Sequence, residues 1–459
     1  MSNPLARSDS NSRSSAGAPA MVDRSRQATR YRYVVLTAVV FITVVNYVDR
    51  GAISYAASGI IDEYSLDPAA WGTVLGFFGY GYMFGALAGG FLADKKGPKW
   101  TLMTACIAWS VLVVCISFAG DFGLAVFGSA VAGFAVFRVG FGFAEGPMYA
   151  TVNRTVANWS TPRERAFMSG FGLVGTPIGA ILAAPIAVGL IALTGSWRWM
   201  FVILGALGIL WLIWWIRNFT DRPADNDKVN AAELAVILEG AADTNPAVSE
   251  SKAVRWFEFF LSRTLVCNAI GYFAFMYVSF MILTWTPRYL ETEFGYELGS
   301  IWYLGMIPWV GAVFTVLLGG RLSDRILQRT QSLWRARSGL AMVSLGLTSI
   351  CFISIPLFND PIAILIVMAV GNAINSLANA VFWTVPIDTV PERSATFAGI
   401  THFFANAATI IAPTLTGFLV ASYGFDSMFV ATAVATAIGM VSMLFVRPGR
   451  FRASKVVAA

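Results

Sequence analysis

The first long apolar run of this chain contains an aspartate and an arginine. Residues 34–45 and 51–61 carry no charge, and between them lie Asn46, Tyr47, Val48, Asp49 and Arg50. A charged side chain at the centre of a bilayer costs roughly 2.5–3.5 kcal/mol on insertion scales, so it normally faces a protein interior or an aqueous cavity. The alternative is a helix that ends at Tyr47, with the charged pair among lipid headgroups. The apolar pattern continues for about three more turns, which favours a substrate or ion path.

A second charged pair lies in a later apolar run. Arg138 and Glu145 are seven residues apart, which is roughly 10 Å along one face of a helix. Tyr47 and Arg50 share a face of the first run, whereas Asp49 points about 100° away. The four charges sum to zero, so a purely structural network is the alternative. We predict that both arginines bind a carboxylate through their forked guanidinium groups, with Tyr47 beside them, and that Asp49 and Glu145 carry protons.

The composition is that of a membrane protein. Of 459 residues, 57% are hydrophobic and only 13% are charged, and the mean hydropathy is +0.66. Runs of about 18 or more apolar residues predict spanning helices, and continuous runs exclude the alternating pattern of a barrel. We identify twelve such runs, at 33–57, 70–93, 100–120, 123–150, 166–193, 199–217, 264–289, 298–320, 338–357, 361–384, 395–421 and 425–446.

Basic residues indicate the orientation of these helices. If the N-terminus is cytoplasmic, Arg198 and Arg288 are the only Lys or Arg residues on the outer side, apart from the two arginines inside spans. This asymmetry satisfies the positive-inside rule with both termini cytoplasmic. The formal charge of +6 is therefore explained by topology, and nucleic acid is not an expected partner. We predict a multi-pass protein of the plasma membrane, the inner membrane in a bacterium.

The chain divides into two sets of six runs. We expect a disordered cytoplasmic tail at 1–30, a first half at 31–217, a cytoplasmic linker at 218–258, a second half at 259–446 and a short tail at 447–459. The linker is charged, contains two prolines and has one short helical stretch at 231–242.

A repeated loop supports this division. Gly90-Phe-Leu-Ala-Asp94-Lys-Lys-Gly97 follows the second run, and Gly320-Arg-Leu-Ser-Asp324-Arg325 follows the eighth. Both contain the pattern G-x-L-x-D-[KR]. Glycine permits a tight turn, and an aspartate can cap a neighbouring helix and pair with a basic residue. We predict a gating loop formed by Gly90, Asp94 and Gly97, with Asp324 and Arg325 as its counterpart.

The loop, its repeat and the six-plus-six plan resemble the major facilitator superfamily. Further segments resemble its anion:cation symporters: residues 47–50, Glu145-Gly146-Pro147, Asn153 and Glu164-Arg165-Ala166. The resemblance implies an all-α membrane protein with twelve transmembrane helices in two pseudo-symmetric six-helix halves. It also implies a substrate site near the midplane between the halves.

The resemblance implies further substrate contacts. Tyr82, Trp383 and Asn406 match positions that contact substrate in relatives that carry sugar acids. We also predict that Thr176 contacts the substrate, although relatives that carry sugar acids tend to have glutamine at this position. The sequence itself places Asn379 on a polar face of the tenth run, together with Asn372, Asn375 and Trp383. His402 is the single histidine and is either a proton carrier or a residue hydrogen-bonded to a neighbour.

These features predict a secondary active transporter that takes up a small organic anion with protons. A sugar acid such as an aldonate, hexuronate or glucarate is favoured. An aromatic or dicarboxylic acid, or coupling to Na⁺, remains an alternative. An enzyme would need a nucleophile with its base, or a metal cluster, and a primary pump would need a phosphate-binding loop; the sequence contains no such pattern. We expect a monomer in the lipid bilayer without a cofactor.

Overall fold

We describe the protein from a computed structural model. The structure describes residues 27–242, 257–390 and 394–449, except for the side chains at 94, 162–167, 169–173, 239–242 and 394–395. The predicted tails, much of the linker, the carboxylate of Asp94 and the segment Glu164-Arg165-Ala166 therefore lie wholly or partly outside the described residues.

The described chain is helical. The first part contains α1 (Tyr31–Tyr55), α2 (Ala57–Tyr64), α3 (Pro68–Lys96), α4 (Pro98–Ile116), α5 (Ala119–Phe127), α6 (Ala130–Glu145), α7 (Met148–Trp159), α8 (Pro162–Thr194) and α9 (Trp197–Asn218). Two short helices follow, α10 (Ala231–Ala242) and α11 (Glu258–Leu261). The second part contains α12 (Arg263–Phe294), α13 (Leu298–Leu304), α14 (Ile307–Thr330), α15 (Leu340–Ser354), α16 (Pro361–Leu377), α17 (Asn379–Thr389), α18 (Ser394–Ala405), α19 (Ala408–Tyr423) and α20 (Asp426–Met443). The predicted domain boundaries stay predictions.

The all-helical membrane fold is confirmed, but the count of twelve long helices is not. Eleven helical segments of the described chain are long and apolar enough to cross a membrane. The predicted run at 123–150 is instead divided among α5, α6 and α7. Gly128, with φ of +66°, ends α5. Pro147 separates α6 from α7, because it has no N–H to continue the helical hydrogen bonds. Neither α6 nor α7 alone reaches the length of about 20 residues that a span requires.

Polar caps determine where several helices begin. Asp67 accepts a hydrogen bond from Ala70 N at 2.6 Å, and Asp360 accepts one from Ala363 N at 2.7 Å. In both cases a proline occupies the first turn, where its missing N–H costs nothing. At the start of α12, the side chain of Ser262 accepts a hydrogen bond from Leu265 N. These capping residues place the starts of the helices between the apolar runs of the sequence.

Helix α3 packs closely against both halves because it is rich in glycine. A Cβ atom at Gly81 would lie 1.8 Å from a carbonyl oxygen of α6, and one at Gly85 would lie 2.2 Å from another. On the other side, a Cβ at Gly72 would lie 2.6 Å from a carbonyl oxygen of α19. Gly81, Gly85 and Gly89, spaced four residues apart, therefore form a contact surface for the neighbouring helices.

The two halves also contact each other beyond the end of α1. Ser58 donates a hydrogen bond to Glu291 of α12, whose other oxygen accepts from Arg288 at 3.0 Å. Tyr55 lies against Gly305, next to α14. The halves are thus closed on the side opposite to the beginning of α1.

The repeated loops make contacts within each half. Arg337, in the π-helical turn Trp334–Gly339 before α15, donates to Asp324 Oδ1 at 3.1 Å and to Asp388 Oδ2 at 2.9 Å. Arg325 is exposed. Gly97 turns the chain with φ of +85°, and Asp221 accepts from Lys99 N at 2.7 Å. Asp221, which the sequence did not single out, therefore caps α4, and gating by these loops stays a prediction.

Candidate functional site

A small cavity lies between the two halves of the protein. Its volume is about 80 Å³, and residues of α1, α3, α7 and α8 face residues of α12, α14, α16, α17 and α18 across it. The residues predicted from sequence that line it are Tyr47, Arg50, Tyr82, Thr176, Asn379, Trp383 and Asn406. Its location between the halves agrees with the predicted position of a substrate site.

Arg50 is the single formally charged residue among those that line this cavity. Its Nη2 and Nε both donate to Glu145 Oε2, at 2.9 and 3.2 Å, and Nη2 also donates to Asn46 Oδ1 at 3.2 Å. Arg50 is 3% exposed and Glu145 is fully buried. Neither Glu145 nor Asn46 accepts a hydrogen bond from Nη1. The guanidinium is therefore held through Nε and Nη2 and can present Nη1 to an anion.

Aromatic rings surround the Arg50 guanidinium. Its central carbon lies 4.5 Å from the ring centre of Tyr82, 4.7 Å from that of Phe78 and 4.8 Å from that of Tyr47. Rings at these distances stabilise a cation that has lost its water.

Arg138 does not line the cavity. Its guanidinium is directed at α3, where Nη2 donates to the carbonyl oxygen of Leu75 at 3.0 Å and Nε to that of Val74 at 3.4 Å. Nη1 has no hydrogen-bond partner among the described residues. Glu145, predicted to share a helical face with Arg138, forms its ion pair with Arg50 of α1.

Asp49 is buried in the first half. Only 2% of the residue is exposed, and neither carboxylate oxygen has a hydrogen-bond partner within the described part of the chain. Asp49 does not line the cavity that Arg50 lines, in agreement with the helical spacing, which places the two residues on different faces. A carboxylate in such a place is costly when ionised, so it is a candidate for carrying a proton.

Tyr149 is a site residue that the sequence reasoning missed. Its hydroxyl lies 2.7 Å from Thr176 Oγ1, and both side chains line the cavity. A signal existed, because Tyr149 follows Glu145 by four residues across the Gly-Pro break. Tyr272 and Ser279 also line the cavity, but no pattern separates them from the other aromatic and small residues of α12.

Broken helices position the polar groups of the second half. Asn379 begins α17 directly after a break at Ala378, and Asn406 lies in the break between α18 and α19. The Asn406 Nδ2 group donates to the carbonyl oxygen of His402 at 2.8 Å. Interrupted helices near the midplane are typical of transporter sites. Asn372 and Asn375 instead donate to backbone carbonyls of neighbouring elements, so they brace the helices.

A wider cavity continues from the first. It has a volume of about 570 Å³, shares Tyr149, Trp383 and His402 with the smaller cavity, and reaches Gly90 of α3 and Arg154 of α7. The ends of these helices lie on the side where α1 begins. The space between the halves is therefore accessible from that side and closed on the other.

Two helical halves around a central cavity with a buried charge and polar side chains in its lining define a class, the membrane carriers. The chain belongs to the Major Facilitator Superfamily, whose family model matches residues 39–406. It is a multi-pass membrane protein, and the predicted superfamily is confirmed.

Individual relatives agree with this assignment. The chain is 31% identical to the hexuronate transporter of Bacillus subtilis (strain 168), over 88% of this chain and 92% of that protein. It is 29% identical to the probable sulfoacetate transporter of Cupriavidus necator, over 92% and 95%. A solved bacterial homolog of the human lysosomal transporter Spinster, in an inward-facing and occupied conformation, has a similar fold. Its TM-score is 0.71 at 20% identity, and the match covers 92% of this chain and 97% of that one.

Proposed function

We propose that this protein is a secondary active transporter that takes up a small organic anion, a sugar acid, together with protons. The observation that carries the proposal is Arg50, a buried guanidinium that faces the cavity between the halves and is held by Glu145. Relatives are named as a hexuronate transporter and a probable sulfoacetate transporter, and both of these compounds are small anions. A guanidinium binds two anionic oxygens at once.

Proton coupling follows from competition for Arg50. In the empty carrier, Glu145 occupies the guanidinium. When a proton neutralises Glu145, Arg50 is released to hold the substrate carboxylate. Proton and anion then bind cooperatively, and each raises the affinity of the other by the same factor. Asp49, buried without a hydrogen-bond donor among the described residues, is the second proton site.

Arg138 has a positioning role in this mechanism. Its guanidinium links α6 to two carbonyl oxygens of α3, and these helices present Glu145 and Tyr82. Arg138 does not bind the anion in the conformation described here. It keeps α6 in the register that brings Glu145 to Arg50.

We propose that the protein is a monomer in the plasma membrane. In the proposed orientation, both termini lie in the cytoplasm. The wider cavity then opens to the cytoplasm, and the contact of Ser58 with Glu291 closes the outer side. Cysteine accessibility tests this orientation through Asp227→Cys, since Asp227 is exposed after α9. Labelling of that cysteine from outside intact cells would contradict it.

Transport in proteoliposomes tests the proposed function. Radiolabelled glucuronate, galactonate, sulfoacetate and benzoate are offered with and without an imposed pH gradient. We expect the gradient to drive accumulation of a sugar acid, and Arg50→Lys to lose most of this uptake because lysine cannot bind bidentately. Accumulation that requires Na⁺ rather than a pH gradient, or uptake of benzoate alone, would refute the proposal.

A further inference from the structure

The wall of the cavity opposite Arg50 contains polar atoms that the protein does not use. His402 lines the cavity, and neither of its ring nitrogens has a hydrogen-bond partner among the described residues, although both are buried. The same is true of Asn379 Oδ1, which also belongs to the lining. Leaving such groups unpaired costs free energy. Three unpaired polar atoms around one cavity point to a ligand that completes them.

The His402 ring is held in place by aromatic neighbours. Its centre lies 5.0 Å from the ring centre of Trp383 and 5.8 Å from that of Tyr272. The backbone carbonyl of His402 accepts from Asn406 at 2.8 Å, so the helix is also fixed at this position. The ring is therefore held in place at the cavity lining, as a residue that recognises a ligand requires.

We propose that His402, together with Asn379, recognises hydroxyl groups of the substrate, and that the site takes a polyhydroxylated monocarboxylate. This inference rests on the proposed function, because it places the carboxylate at Arg50. The chemistry of the wall selects hydroxyl groups. A neutral imidazole offers one donor and one acceptor, the amide oxygen is an acceptor, and a hydroxyl can both donate and accept.

The other candidate substrates fit this wall less well. A second carboxylate accepts hydrogen bonds but donates none, so it would face the Asn379 oxygen and one imidazole nitrogen without a proton between them. It would also bring a second negative charge to a cavity in which Arg50 is the single charged lining residue. An unsubstituted aromatic acid would leave all three polar atoms buried and unpaired, which sites of this kind reject.

The test compares two ligands of the same ring size in purified full-length protein. Glucuronate carries hydroxyl groups, whereas cyclohexanecarboxylate has the carboxylate and a six-membered ring without them. We expect the wild-type protein to bind glucuronate more tightly. His402→Leu should weaken glucuronate binding roughly three- to tenfold, the range of one lost hydrogen bond. It should not weaken cyclohexanecarboxylate binding, because that ligand has no hydroxyl group to pair with the imidazole. His402→Gln, which keeps a donor and an acceptor, should retain most of the glucuronate affinity.

Controls separate the possible failures. Phe404→Leu, on the same helix but 39% exposed, should change neither affinity. Undiminished cyclohexanecarboxylate binding also verifies that His402→Leu is folded; if that variant does not fold, His402→Gln and Asn379→Ala answer the question by the same ratio of affinities. Equal losses for both ligands, or loss of pH-driven accumulation with intact binding, would overturn the hydroxyl role. Failure of the wild-type protein to bind any carboxylate would overturn the proposed function itself.

Discussion

The substitution Glu145→Gln tests the link between proton and anion most directly. The glutamine has nearly the same shape, and its amide oxygen can still accept from Arg50, but the negative charge is removed. Two opposite charges 2.9 Å apart attract each other by about 6 kcal/mol at an effective dielectric constant of 20. An incoming carboxylate competes with this attraction. If one quarter of this attraction opposes substrate binding, removing the charge of Glu145 strengthens anion binding about tenfold.

The expected result has a pH signature. In the wild-type protein, affinity for glucuronate should rise as the pH falls, because protonation of Glu145 releases Arg50. In Glu145→Gln this pH dependence should be absent, with affinity at pH 8 about tenfold above that of the wild type. Binding is measured by calorimetry at pH 6 and pH 8. The variant should exchange substrate in counterflow but should not accumulate it on a pH gradient.

Stability provides a second measurement. Removing one partner of a buried ion pair costs about 3–5 kcal/mol, because the other charge is left uncompensated. The empty variant should therefore unfold at a lower temperature, and glucuronate should raise its Tm more than that of the wild type. Glu63→Gln is the matched control, since Glu63 pairs with Arg198 outside the cavity. If Glu145→Gln still concentrates substrate on a proton gradient, the assignment is wrong, and Asp49 or His402 carries the proton.

Three further predictions concern single residues. Asp49→Asn should keep the protein as stable as the wild type, because the buried carboxylate has no described hydrogen-bond partner to lose, but it should abolish accumulation on a pH gradient in proteoliposomes. Arg138→Lys should lower stability by about 1–3 kcal/mol, since one ammonium cannot replace both carbonyl contacts, and should reduce uptake in proportion to the folded fraction; a large loss of glucuronate affinity in folded protein would place Arg138 in the binding site. Hydrogen bonds from Arg198 lower the pKa of Glu63. This pair therefore stabilises the folded state at a pH above the unfolded pKa of Glu63, about 4.3, and the stabilisation is lost as the pH falls from there through the lower folded pKa. Thermal unfolding should then distinguish Glu63→Gln from the wild type at pH 7, by less than about 1 kcal/mol for a surface pair, and no longer do so at strongly acidic pH.

Much of the candidate site was predictable because charges in apolar runs are rare. Asp49, Arg50, Arg138 and Glu145 stand out in any reading of this sequence, since hydrocarbon penalises each of them. The helical period also predicted that Arg50 and Tyr47 share a face and that Asp49 does not. Tyr272 and Ser279 were missed for the opposite reason, because an apolar helix contains many similar residues and burial alone does not mark a site.

Local chemistry of the chain determined the all-helical membrane class, the approximate helix ends and the candidate charged groups. Each of these depends on solvation of single residues or on neighbours within a few turns. The ion-pair partner of Glu145 could not be determined from the sequence in this way. Seven-residue spacing favoured Arg138 on the same helix, yet Glu145 pairs with Arg50, 95 residues away. The tertiary structure makes that choice by bringing Glu145, at the end of α6, within 2.9 Å of the Arg50 side chain of α1. An ion pair depends on distances between helices, which spacing along one helix does not specify.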